Sequence, residues 1–117
     1  MSKHEASLAL RQMRDYAREA TAMAEGKTRG DLDTNRMLNL ALVKLLEIVG
    51  EAANRVRSDE QAKCPQIPWQ QLTGLRNRLV HGYDQVDLDI LWQILTRDLP
   101  PLVEELEKIV APEERSR

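Results

Sequence analysis

The sequence predicts an all-α fold, an antiparallel four- to five-helix up-and-down bundle, and three observations carry that reading. Apolar residues recur at helical spacing through four stretches, with charged residues between them. Apolar side chains make up 42% of the 117 residues but aromatics only 3%, so the core has to be built from Leu, Ile, Val, Ala and Met, which suit packed helices. The five glycines and five prolines are too few and too clustered for an all-β chain. Length predicts a single domain over 1–117, with its core at about 5–110 and a frayed tail at 112–117. A core of this size is marginal without further burial, so a dimer would help it.

The first helix is read from residue 2 to about residue 25, where Ala6, Ala9, Met13, Tyr16, Ala17, Ala20 and Met23 keep the period until Gly26 ends it. A polar stretch at 28–33 follows. The second helix opens at Thr34 and carries Leu38, Ala41, Leu42, Leu45, Val49, Ala52, Ala53 and Val56 on one face. Met37, Leu40 and Ile48 widen that apolar surface, so this helix is expected to be the most buried. Residues 58–68 lose the period and contain Pro65 and Pro68, a loop. Trp69, Leu72, Leu75 and Leu79 trace a shorter third helix, with Pro68 suited to its first turn and Gly82 placed to end it in a left-handed conformation. Asp84 or Asp87 can cap the fourth, where Leu88, Leu91, Trp92, Leu95, Leu99, Leu102, Val103, Leu106 and Val110 hold the period. Pro100-Pro101 should kink this helix or break it in two.

A formal charge of −2 offers no broad electrostatic attraction for nucleic acid, so any RNA contact has to be local. Cys64 is the one cysteine, which excludes an internal disulfide framework and a cysteine zinc site. No signal peptide and no membrane-length apolar run is read, and the cytoplasm is the expected compartment.

Chemistry concentrates in Arg76-Asn77-Arg78-Leu79-Val80-His81-Gly82-Tyr83. Histidine is the side chain that trades protons near neutrality, and arginine is the natural partner of a phosphate oxygen. On an ideal helix Asn77 and His81 share a face, whereas Arg76 and His81 diverge by about 140°. Convergence therefore needs a helix that ends before His81, with the chain turning at Gly82, or a second copy of the segment brought in by a twofold axis. With such convergence, His81 can exchange a proton with an RNA 2′-hydroxyl or a leaving 5′-oxygen while Arg76 steadies the charge building on phosphorus. No cluster of carboxylates and histidines suggests a two-metal site, so a metal-free, cofactor-free route is favoured. Tyr83 can stack on a base or present its hydroxyl to phosphate. The competing reading is structural: an Arg-x-x-x-x-His at a helix end is common, and these arginines can simply pair with Asp84 or Asp87.

Arg76, four residues, His81, one residue, Tyr83 resembles the signature of the HEPN superfamily, and in detail that of its HepT-like branch, the toxin half of HepT–MntA toxin–antitoxin pairs. Ile67-Pro68-Trp69, Gly74-Leu75, Val86-Asp87-Leu88-Asp89, Asp98-Leu99-Pro100 and Glu47-Ile48-Val49-Gly50-Glu51-Ala52-Ala53-Asn54-Arg55 are similar to the same family, over about residues 5–110. The resemblance implies a helical homodimer acting as a metal-independent ribonuclease, with Arg76 and His81 catalytic in a cleft between protomers. It also implies a nucleotidyltransferase antitoxin that silences the toxin by transferring AMP from ATP to Tyr83.

Among supporting residues, Asn77 can orient His81 or bond a phosphate, or merely satisfy loose carbonyls at a helix end. Arg78 points away from Arg76, as a solvated or dimer-rim charge. Glu47, Glu51 and Asn54 form a polar line on the second helix. Glu47 is read as facing the cleft, near Arg76 or His81, and Glu51 as an ordinary intrahelical partner of Arg55. Trp69 and Trp92 read as core or interface anchors, His4 as solvated, and Cys64 as a small apolar residue. Two alternatives to the enzyme remain: a non-catalytic, nucleotide-binding partner of a nucleotidyltransferase, favoured by the modest net charge, and an inert helical dimer.

Overall fold

The structure, a computed structural model, describes residues 2–82 and 85–116. Its frame is three long helices: α1 (Lys3–Ala24), α3 (Arg36–Asn54) and α8 (Leu99–Arg115), with α1 packed against both others. Ser2 starts α1, its hydroxyl accepting from the Glu5 amide. The buried face of α1 is mostly alanine, Ala6, Ala9, Ala17, Ala20 and Ala24 with Leu10 and Met13, and such small side chains let neighbouring helices approach closely. A single turn, α2 (Asp31–Thr34), buries Leu32 and leads to Asn35, which caps α3 by accepting from the Leu38 amide. The core of the bundle is closed by Leu42, Leu46 and Val49 from α3 and by Leu99, Leu106 and Val110 from α8.

The outer line of α3 departs from the expected burial. Met37 is 82% exposed and Leu40 51% exposed, and Ile48 is half-buried. Two five-residue helices, α5 (Trp69–Thr73) and α6 (Leu75–Leu79), meet α3 at Gly50 in its C-terminal half. Beside its N-terminal half, Leu40 shares an open recess with Gln85, Val86 and Leu88, which do not close over it.

The third helix expected over 69–81 is thus two pieces. Gly74 interrupts it with a backbone near φ −96° and ψ 8°, and glycine inside a helix costs about 1 kcal/mol relative to alanine. Residues 58–61 form a turn of helix, α4 (Ser58–Gln61), inside the expected loop. The indole of Trp69 donates to the Cys64 carbonyl, and burial pushes the half-buried Cys64 thiol up from its ordinary pKa, as suits a packing residue.

After α6 the chain forms a two-stranded antiparallel ladder, β1 (Val80–His81) with β2 (Gln85–Val86), in register Val80 to Val86 and His81 to Gln85. Gly82, at φ +26°, serves this turn and does not cap the helix, which has already ended at Leu79. The fourth helix begins as α7 (Leu88–Gln93), capped by Asp87, and Asp84 lies outside the described residues. A π-helical turn, Ile94–Asp98, then joins it to α8. The irregularity falls just before Pro100-Pro101, as the prolines require: neither has an amide to donate to the carbonyls of Thr96 and Arg97.

The tail expected to fray from residue 112 stays helical to Arg115. Arg14, buried on α1, grips both Glu114 oxygens at 2.6 and 2.7 Å and bonds Asp15 at 2.9 Å. Its guanidinium pKa is pushed up by the Glu114 hydrogen bonds. Ser7 on α1 donates to Glu113, so two consecutive carboxylates hold the last turn. No helix among the described residues is long and apolar enough to cross a membrane.

Candidate active site

The end of α6 decides where the polar residues go. Val80, β-branched, leaves the helix for extended backbone at φ −109° and ψ 120°, and the Asp87 amide donates to the Leu79 carbonyl at 2.8 Å, satisfying the helix end. Arg76 therefore remains on a helix while His81 sits on a strand. The ideal-helix angle between them no longer applies, and neither does the shared face of Asn77 and His81; Asn77 is exposed.

Arg76 is exposed on α6, at a recess of about 110 Å³ whose other walls include Glu47, Gly50, Glu51 and Asn54 of α3. Gly50 makes this proximity possible. A Cβ there would lie 3.2 Å from the Leu72 carbonyl oxygen and 3.6 Å from the Leu75 Cβ, so its missing side chain lets α5 and α6 lie directly on α3. Glu47 is half-buried in the recess, with the Lys44 ammonium 3.9 Å away. The Asn54 amide donates to the Gly50 carbonyl at 3.1 Å. Glu51 is exposed, and its expected pairing with Arg55 gives way to a hydrogen bond from Arg55 to Gln12 on α1.

His81 is 63% exposed in its side chain and is not among the residues lining the Arg76 recess. Its Nε2 faces Asp87 Oδ2 at 3.5 Å, while Asp87 Oδ1 accepts from the amides of Asp89 and Ile90 at 3.0 and 3.1 Å. The two arginines have different company. Arg78 pairs with Asp98 at 3.1 Å, beside a separate cavity of about 260 Å³. Arg76 makes no ion pair among the described residues. Tyr83 lies outside the described residues. Among those described, no group of three or more His, Cys, Asp or Glu is placed to hold a metal ion.

The structure thus places Glu47 and Arg76 on one recess and keeps Arg76 and His81 both open to solvent on one short segment. Three contributors escape a pattern reading: Gly50 as the contact point, Gly74 as the helix break, and Asp87 as a group facing both an imidazole and a helix start. The sequence signal for the last was its position before Leu88, which marks a cap but not a histidine partner.

The family model described as Ribonuclease HepT-like matches residues 13–109. The chain belongs to the HepT-like ribonuclease family. A Methanocaldococcus jannaschii protein that carries the name putative RNase is 32% identical over 107 residues, covering 92% of this chain and 98% of that one. A Thermococcus cleftensis protein named probable ribonuclease HepT is 33% identical across 68% of this chain and 72% of its own length. A third relative, from Caldanaerobacter subterraneus and also named as an RNase, is 30% identical across 71% and 74%. No solved structure matches the chain.

Proposed function

We propose that this chain is the toxin of a toxin–antitoxin pair, a metal-independent endoribonuclease that cuts RNA with Arg76 and His81. The observation that carries the reading is the intact Arg76–His81–Tyr83 spacing in a HepT-like chain whose helix stops at Leu79, leaving both Arg76 and His81 exposed. In the reaction, His81 takes the proton of a 2′-hydroxyl, the freed oxygen attacks the adjacent phosphorus, and the bond to the 5′-oxygen breaks. That oxygen leaves with a proton from an imidazolium, giving a 2′,3′-cyclic phosphate and a 5′-hydroxyl. Arg76 neutralises the charge on the non-bridging oxygens as it builds. Glu47 shares the recess with Arg76 and supports the site from α3, and Asn77 bonds a neighbouring phosphate.

A homodimer completes the site. A single protomer leaves Arg76 over α3 and His81 beside Asp87, and a twofold axis near this segment supplies a second set of the same groups to one cleft. Regulation acts on Tyr83: a cognate nucleotidyltransferase directs the phenolic oxygen to the α-phosphorus of ATP, pyrophosphate leaves, and the attached AMP fills the substrate-phosphate position and reverses its local charge. The pair works in the cytoplasm, where RNA and ATP are both at hand.

The test is cleavage of single-stranded RNA by purified protein in EDTA, with the ends analysed. Cyclic phosphate products, lost in His81→Ala and in Arg76→Ala without loss of fold, are the expected result; cleavage that survives both substitutions overturns the assignment. Intact mass after co-expression with a cognate nucleotidyltransferase is expected to rise in AMP-sized steps, and Tyr83→Phe to abolish the rise.

A further inference from the structure

We infer that Asp87 is a positioning residue for His81, and that it selects Nδ1 as the ring nitrogen that takes the substrate's proton. The inference rests on the ribonuclease reading above and adds to it the residue that sets the imidazole's tautomer and angle.

The geometry has two parts. Asp87 Oδ1 is committed to the start of α7, accepting from the amides of Asp89 and Ile90 at 3.0 and 3.1 Å, which fixes the carboxylate plane without help from the histidine. Oδ2, left over, faces His81 Nε2 at 3.5 Å. The ladder sets the two residues on a diagonal: His81 pairs with Gln85 and Val80 with Val86, and the Asp87 amide donates to the Leu79 carbonyl at 2.8 Å. Backbone amides thus hold one oxygen of the carboxylate and the Leu79 carbonyl anchors the Asp87 main chain, while the imidazole side chain is 63% exposed.

A carboxylate accepts hydrogen bonds and donates none, so the proton of a neutral imidazole belongs on the nitrogen that faces it. That places the proton on Nε2 and the lone pair on Nδ1, the atom free to receive the 2′-hydroxyl proton. When Nδ1 takes that proton, the ring becomes a cation whose Nε2 lies 3.5 Å from a carboxylate already fixed in place. The logic is that of the buried carboxylate in serine-protease triads, where replacing it by the amide leaves geometry intact but puts the wrong tautomer in place. Here the ring is exposed, so the effect is smaller. At 3.5 Å the Asp87 contact is a charge contact and not yet a hydrogen bond, and the bond is expected to form when substrate closes on the pair.

Asp87→Asn separates this role from the structural one. Asparagine caps helices about as well as aspartate, so the amide oxygen keeps the bonds to Asp89 and Ile90. Its NH2 group then faces Nε2, and a donor there drives the ring proton to Nδ1. Asp87→Ser keeps a cap but reaches nothing at the ring. The expected result is a kcat about tenfold or more below wild type for Asp87→Asn with KM within about twofold, a smaller loss for Asp87→Ser, and melting temperatures close to wild type for Asp87→Asn. Long-range nitrogen–proton spectra of the His81 ring, separable from His4 by comparison with His81→Ala, are expected to show the neutral proton on Nε2 in wild type and on Nδ1 in Asp87→Asn. Wild-type kcat in Asp87→Asn, an unchanged tautomer, or losses in both variants that only track the fraction unfolded overturn the inference. If the wild-type protein does not cut RNA, the ribonuclease reading falls instead, and the spectra still decide what Asp87 does to the ring.

Discussion

The long helices α1, α3 and α8 contain 22, 19 and 17 residues, whereas α5, α6 and α7, which bracket the candidate site, contain five, five and six. Isolated helices of five residues have no stability of their own in water, because the cost of nucleation is never recovered by propagation. The long helices hold themselves by buried faces of Leu, Val and Ala. The short ones are held in place from outside: by Gly50 beneath them, by the Trp69 indole on the Cys64 carbonyl, by the Asp87 amide on the end of α6, and by the two-stranded ladder. That difference explains why polar residues gather in residues 69–87. A segment that does not depend on its own helical amphipathicity is free to expose Arg76, Asn77 and His81. Substitutions in the two regions should therefore fail in different ways.

The largest effect is expected at the site. His81→Ala or Arg76→Ala should lower RNA cleavage by about a hundredfold or more, the usual worth of a proton-transfer or charge-stabilising group, while the melting temperature stays near wild type. In the bundle the order reverses. Leu42, fully buried on α3, should cost about 3 kcal/mol of stability on truncation to alanine, with specific activity per folded molecule unchanged. Chemical unfolding and single-turnover cleavage, measured on the same samples, check both. A Leu42→Ala protein that loses activity at full folding, or a His81→Ala protein that unfolds, would erase the distinction between the regions.

How much could be read in advance follows the same division. The bundle was legible because its helices are long enough for a 3.6-residue pattern to repeat, and nearly every residue on the lines Ala6–Ala24, Leu38–Val56 and Leu99–Val110 is buried. Arg76, His81 and Tyr83 were legible as residue types at a spacing. Their setting was not. A pattern of Trp69, Leu72, Leu75 and Leu79 reads as one helix, since apolar period does not register the cost of Gly74 or the preference of Val80 for extended backbone. Met37 and Leu40 read as core because hydropathy says nothing of how far the next element reaches. The tail at 112–115 read as frayed because Arg14, a hundred residues away in sequence from Glu114, is what holds it.

Gly50 is the joint between the two regions, and Gly50→Ala tests how tightly they are coupled. Alanine favours α3 by about 1 kcal/mol, but its Cβ would meet the Leu72 carbonyl at 3.2 Å, closer than such contacts normally sit. The neighbour is backbone of a short helix, so α5 and α6 should shift outward by a few tenths of an ångström. The expected outcome is a melting temperature within a few degrees of wild type and cleavage reduced about tenfold, since small misplacements of a positioned group are costly to rate. Equal losses in both measurements would mean that the site segment is part of the cooperative core after all.

The smallest expected effect lies at the last turn of α8 and depends on pH. The Glu114 carboxyl is held below the ordinary carboxylate range, chiefly by its hydrogen bonds from Arg14 and then by the positive charges of Arg14, Arg11 and Arg18, against an opposing contribution from burial. In the unfolded chain the same group titrates near its usual value of about 4.3. Between those two values the unfolded chain binds the extra proton, so the pairing stabilises the fold at neutral pH, and that stabilisation is lost as pH falls below the ordinary carboxylate range toward the lower folded value. Glu114→Gln should therefore lower the melting temperature slightly at pH 7 and converge on wild type in acid. Because Glu114 lies at the last turn of α8, far in sequence from residues 69–87, the loss should show first as faster amide exchange at 112–115, with RNA cleavage unchanged. Melting curves for the two proteins that stay parallel from pH 7 down to pH 3 would mean that Arg14 does not select the charged form of Glu114, and that apolar packing of Leu106 and Val110 alone carries the helix to its end.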